Sequence, residues 1–109
     1  MKKQKLPELS EAELQKETLK SLSKLGIYHW RNNTGRKHNL MFGVKGGGDI
    51  LGLLKNGKFL SIEVKNRLGK QSPAQIKFMD IINKNNGLAV CIHTLEELEV
   101  ILIKINTNK

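Results

Sequence analysis

Asp49-Ile50-Leu51-Gly52-Leu53-Leu54-Lys55-Asn56-Gly57-Lys58-Phe59-Leu60-Ser61-Ile62-Glu63-Val64-Lys65 is the stretch that decides the fold. Two apolar runs, 49–54 and 58–65, flank Asn56-Gly57, a strong hairpin signal. Both runs carry Leu, Ile, Val or Phe on both faces, so the hairpin belongs in the middle of a covered sheet. Loop length sets the register. A two-residue loop pairs Ile50 with Glu63 and sends Asp49 to the opposite face. A three-residue loop, Lys55-Asn56-Gly57, puts Gly57 in the left-handed position and pairs Leu54 with Lys58. Asp49 then stands directly opposite Glu63, with the two side chains pointing the same way. The three-residue loop, or an equivalent bulge at Gly52, is the expected arrangement.

Working outward, Ser10 opens a helix. Glu13 completes a capping box, Leu9 and Leu14 can form a hydrophobic staple, and Gly26 stops it. Leu14, Thr18, Leu22 and Leu25 share one face, and Glu11 and Gln15 fall on the same face. Ile27 to Arg31 reads as a strand. Residues 32–48 are polar and glycine-rich, with Arg36, Lys37, His38 and Lys45. They read as a mobile basic loop beside the sheet, with a short strand at Leu40-Met41-Phe42. Ser72-Pro73-Ala74-Gln75 supplies a cap, a first-position proline and a capping-box glutamine. That helix runs to Asn85-Asn86 and ends at Gly87. Leu88 to Ile92 is a buried strand. Thr94-Leu95-Glu96-Glu97 caps a last helix through about Ile103, with a strand over Val100–Ile105 as the alternative. The order predicts a small α/β sandwich with a mixed sheet. Residues 1–9 form a basic lead-in and 10–109 a single domain.

The chain has 109 residues, 39% hydrophobic and 27% charged, which suits one globular domain. Nineteen Lys and Arg against ten Asp and Glu leave a net charge of +9. That predicts attraction to a polyanion, most simply nucleic acid, against the plainer alternative of a basic surface with no partner. Cys91 is the single cysteine, so no internal disulfide forms. It reads as a small core residue, and the expected compartment is reducing and cytoplasmic. The basic start, Met1 to Lys5, is followed by no apolar signal core, and no apolar stretch is long enough to span a bilayer.

Ser61, Glu63 and Lys65 alternate with Ile62 and Val64, so Glu63 and Lys65 share a face and the register brings Asp49 to them. Oxygen ligands at this spacing suit Mg²⁺ or Mn²⁺, which keep several waters while taking one or two carboxylates. Such an ion lowers the pKa of bound water and neutralises charge on a phosphodiester, with Lys65 orienting the nucleophile or steadying the phosphate. The Val64 carbonyl and Glu11, directly or through water, are further candidate ligands. A lone Glu-X-Lys on a strand is usually a surface ion pair. Here the strand is apolar on both faces, and two like charges near a sheet centre destabilise unless a cation offsets them. The glycines of 43–48 lack the ending of a phosphate-binding P-loop. His29, His38, His93 and Cys91 lack zinc-ligand spacing. Tyr28 and Trp30 are candidates for base stacking, with sheet packing the alternative for at least one.

Gly46-Gly47-Gly48-Asp49-Ile50-Leu51-Gly52, Ile62-Glu63-Val64-Lys65, Gly69-Lys70 and Gln75, in this order, resemble the PD-(D/E)XK nuclease superfamily. Within it the VRR-NUC family is most similar, and Trp30-Arg31-Asn32-Asn33-Thr34-Gly35 and the Glu11-to-Gln15 spacing also fit. The resemblance covers Glu11 to about Leu98. It implies a restriction-endonuclease-like three-layer sandwich and metal-dependent DNA cleavage. It also implies, for small members, homodimers acting on branched DNA or Holliday junctions. Carried over, Asp49 and Glu63 are metal ligands, Lys65 is the catalytic lysine, Glu11 the helix-one acid and Gln75 the helix-two glutamine. Gly48 departs from the family's proline. Gln75 also has a structural role open to it, closing the capping box with Ser72. Arg31, Arg36, Lys37, Lys45, Arg67, Lys70 and Lys77 are candidate phosphate contacts.

Overall fold

A computed structural model describes residues 6, 8–33, 35–37, 40–42 and 46–107, with the backbone alone for 35–37 and 40–42. Helix α1 (Glu11–Lys24) is followed by β1 (Tyr28–Arg31), β2 (Gly35–Lys37), β3 (Leu40–Phe42), β4 (Ile50–Leu53) and β5 (Phe59–Val64). Helix α2 (Pro73–Lys84), β6 (Leu88–Ile92) and α3 (Leu95–Thr107) complete it. The protein is α/β, with a four-stranded mixed sheet in the order β1-β4-β5-β6. The first two pairings are antiparallel and β5–β6 is parallel, joined through α2.

The three-residue loop sets the central register. Ile50 pairs with Ile62 and Leu53 with Phe59, with no bulge at Gly52. The Leu54 N–H donates to the Lys58 carbonyl at 2.8 Å, and the Gly57 N–H donates to the Leu54 carbonyl at 2.8 Å. Gly57 takes φ +87°, the left-handed conformation this loop needs and one that glycine adopts without strain.

Capping places the helices. Ser10 and Glu13 bond reciprocally at the start of α1, as do Ser72 and Gln75 at the start of α2. The α2 exit differs from expectation. Asn86, at φ 68°, makes the left-handed turn. Gly87 is needed instead for close approach, since a Cβ there would lie 2.6 Å from Ile82 Cγ2 and 2.9 Å from the Phe59 carbonyl oxygen. The last helix persists to Thr107, which rules out the strand alternative over Val100–Ile105. Leu98 and Ile105, seven residues apart on it, are both buried in the core, a helical spacing.

The two faces of the sheet are unlike. Leu60, Ile62 and Val64 of β5 and Leu88 and Ile92 of β6 join Leu14 and Leu22 of α1 and Leu98 and Ile105 of α3 in one apolar cluster. No α2 residue belongs to it; α2 packs against β5 and β6 and buries none of its residues fully. The basic segment after β1 also needs correcting. The short strand expected at Leu40–Phe42 is present, but it pairs with 35–37 in a two-stranded antiparallel ribbon where the composition suggested loop. Gly35 pairs with Phe42 and Lys37 with Leu40, so the backbone found a hairpin where apolar alternation was too short to announce one.

Candidate active site

Continuing the β4–β5 register by one step past Ile50 and Ile62 sets Asp49 opposite Glu63, as the loop length predicted. Glu63 is buried at 3% exposure although it is charged, and Asp49 is half-buried beside it. The Val64 N–H donates to Asp49 Oδ2 at 2.7 Å, which ties that carboxylate to the neighbouring strand.

Glu63 Oε1 is well supplied with donors. It accepts from Gln75 Nε2 at 3.1 Å and lies 3.5 Å from Lys65 Nζ. Glu63 Oε2 is buried and accepts from no donor among the described residues. Burial, then the charge and hydrogen bonding of Asp49, push the Glu63 carboxyl up to about 7, with Lys65 pulling it back down. A buried oxygen with two lone pairs and no donor, next to a second carboxylate, is short of positive charge.

Gln75 performs both tasks its position allowed. Its Oε1 accepts from the Ser72 N–H at 2.8 Å, closing the capping box, while its Nε2 reaches Glu63. The rigid amide thus locks the acid to the start of α2.

Asn32, Gly48 and Ser61 set the position of Asp49, and sequence reasoning gave none of them this role. The Asn32 N–H donates to the Asp49 carbonyl at 2.8 Å, and Asn32 Nδ2 donates to the Gly48 carbonyl at 3.0 Å. The Gly48 N–H donates to buried Ser61 Oγ at 3.1 Å. A Cβ on Gly48 would lie 2.5 Å from that Oγ and 2.8 Å from the Ile62 carbonyl oxygen. Glycine is therefore needed here: a proline would lack the N–H that Ser61 takes, and its ring would collide with β5. The available signal for Ser61 was its alternation with Glu63.

Glu11 makes no three-acid cluster with Asp49 and Glu63. It is exposed in the first turn of α1, where a carboxylate favours the helix dipole. Helix α1 packs on the face carrying Ile62 and Val64, whereas strand alternation sends Glu63 to the other. Among the described residues no cluster of three His, Cys, Asp or Glu side chains is placed to hold a metal. The pair does suffice for Mg²⁺ or Mn²⁺, which need only one or two protein carboxylates, and the orphaned Oε2 fits such an ion.

Of the candidate phosphate contacts, Arg31, Arg67, Lys70 and Lys77 are exposed. Arg31 donates to Gln15 Oε1 at 3.3 Å, and Arg67 lies 3.8 Å from Glu8. The side chains of Arg36, Lys37 and Lys45 lie outside the described residues. Cys91 is half-buried; burial first, then the Glu63 charge, push its thiol up to about 11, so it stays protonated and is a poor nucleophile.

No protein-family model matches this chain, and neither a curated protein nor a solved structure matches it at a significant level. No helix among the described residues is long and apolar enough to cross a membrane.

Proposed function

We propose that the protein is a Mg²⁺- or Mn²⁺-dependent DNA endonuclease, VRR-NUC-like within the PD-(D/E)XK superfamily, with a restriction-endonuclease-like three-layer sandwich. The observation that carries the reading is the Asp49–Glu63 pair, one of whose oxygens is buried without a donor, with Lys65 beside it. Two helices on one sheet face and one on the other support the layered fold. The net charge of +9 supports a polyanionic substrate.

In this reading Asp49 and Glu63 hold the ion, with the Val64 carbonyl as a further ligand. The ion, when bound, activates a water and neutralises charge developing on the phosphate. The chain's own residues do the rest. Gln75 fixes the Glu63 carboxylate so that Oε2 stays available. The Val64 N–H, Gly48, Ser61 and Asn32 hold Asp49 against β5. Lys65, only one-fifth exposed, presents an ammonium that orients the nucleophile or binds the phosphate. Branched DNA, including four-way junctions, is the proposed substrate. A two-fold homodimer suits paired cuts on a symmetric junction. A single cysteine, with no internal disulfide to keep, suits the cytoplasmic location that this reading proposes.

The test is cleavage of labelled four-way junction, flap and linear duplex with Mg²⁺, Mn²⁺ or chelator, with Lys65→Ala as control. Metal-dependent cuts that the control loses support the reading. Binding of every substrate without cuts points instead to a non-cleaving DNA-binding module. Equal cutting of all three removes the structure preference and keeps the nuclease.

A further inference from the structure

Among the described residues, the face of the sheet that carries the acid pair has a helix packed over β5 and β6 and none over β1, although Leu51 of β4 is itself buried. Directly opposite residues in paired strands point the same way. Tyr28 pairs with Leu53 and Trp30 with Leu51, which in turn pair with Phe59 and Ser61. The Asn32 N–H to Asp49 carbonyl bond continues the same register. Tyr28, Trp30, Asp49 and Glu63 therefore lie on one face. Diagonal neighbours on such a pair are about 7–8 Å apart, which is the relation of Trp30 to Asp49.

Helix α2 covers β5 and β6 on this face, and no comparable packing of α2 on β1 or β4 exists among the described residues. Tyr28 is accordingly 71% exposed, Trp30 41% and Leu53 44%. The two rings hold each other edge to face, with centroids 5.8 Å apart and planes at 60°. Three large apolar side chains in consecutive register on solvent are unlike the scattered exposed residues of an ordinary surface. The opposite face of β1 is in use, with Ile27 in the core and Arg31 reaching α1.

We propose that Tyr28 and Trp30 form a stacking platform for unpaired nucleobases, which leads a single strand across β1 toward Asp49 and Glu63. The inference deepens the nuclease reading and rests on it for the direction of the strand. Two observations select the occupant. The platform is continuous with the acid pair in the same sheet register, and the chain's +9 charge complements a phosphate backbone. Aromatic rings take any base by its π face, so the platform selects for unstacked bases and not for sequence. A flap, or a branch with a single-stranded arm, supplies such an unpaired strand and a linear duplex does not.

Trp30 is the chain's single tryptophan, so its emission reports directly on the platform. The experiment uses the whole protein in chelator, where nothing is cut. One probe is an oligothymidylate of about 12 nucleotides, within the span single-strand grooves accommodate. The other is an abasic phosphate chain of equal length. The oligothymidylate should quench Trp30 and the abasic chain should not. By anisotropy of the labelled oligothymidylate, Tyr28→Ala and Trp30→Ala should each weaken binding roughly tenfold or more, and Tyr28→Phe should restore it. Both side chains are exposed, so the variants should keep their melting temperatures. Equal quenching by the abasic chain, or unchanged affinity in both alanine variants, overturns the proposal. A concentration-dependent blue shift of Trp30 without DNA also overturns it, because a second copy then covers the face. Failure here with metal-dependent cleavage intact leaves the nuclease reading standing, and base-dependent quenching without cleavage sinks only the nuclease.

Discussion

The two faces of the central sheet solve opposite problems with alternate residues of the same strands. On β5, Leu60, Ile62 and Val64 face α1 and α3 and are fully buried among aliphatic side chains. Ser61, Glu63 and the adjoining Lys65 face the other way. That side holds a buried acid at an elevated pKa, an oxygen without a donor and aromatic rings left on solvent. The first face gains stability from every residue. The second holds a like-charge pair that weakens the fold unless a cation joins it. One strand can do both because its side chains alternate.

Neighbouring substitutions on β5 should break this contrast most sharply. Ile62→Ala should cost about 2–5 kcal/mol of stability by urea denaturation, the usual price of a cavity in a packed core. Glu63→Gln should leave the metal-free protein at least as stable at pH 8 and lower cleavage by about a hundredfold or more. If Glu63→Gln destabilised the metal-free protein as much as Ile62→Ala, the acid would be structural and the contrast false.

Gly48→Ala lies between these extremes. Its methyl meets the β5 backbone as well as the Ser61 hydroxyl, so strands must part, at about 1–3 kcal/mol. The rise in melting temperature on adding Mn²⁺ should fall with it, because Asp49 moves. Ser61→Ala, which removes the hydroxyl and adds no bulk, should reduce that metal response by less.

The pH dependence of the metal-free protein sharpens the comparison further. Glu63 binds its proton more tightly folded, near pH 7, than unfolded, near 4.5. The folded state then holds more protons over that window, so stability falls as pH rises from about 4.5 to about 7 and stays reduced above it. Thermal melts in chelator should show the decline, Glu63→Gln should flatten it, and saturating Mg²⁺ should offset it. The smallest effect belongs away from both faces. Arg67→Ala breaks an exposed 3.8 Å pair with Glu8 and should change stability by less than about 0.5 kcal/mol in a chemical melt.

Much of this contrast was legible in the residues alone. Asn56-Gly57 announced the hairpin, Gly57 chose the loop, and the loop chose which side of the sheet Asp49 would occupy. Capping chemistry located the starts of α1 and α2 because Ser and its partner three residues on act within a single turn. Helical periodicity places Glu11 on the stripe of Leu14 but carries no information on which sheet face that stripe covers. Asn32 and Gly48 act through backbone groups of distant strands, and backbone approach leaves no composition signal. The Tyr28–Trp30 pair was ambiguous for a similar reason: alternation says the rings share a face, not whether a helix covers it.

Local geometry, written in turn residues, caps and period-two alternation, therefore determined the elements, the central register and the meeting of Asp49 with Glu63. These are properties of a few adjacent dihedrals and of strand pleating, so neighbouring residues suffice to specify them. Only the tertiary structure decided which helices cover which face, and with that the exposure of Glu11, the double engagement of Gln75 and the open aromatic surface. Those depend on which distant segments come into contact, and the pattern along one strand is the same whether its far side meets a helix, an ion or water.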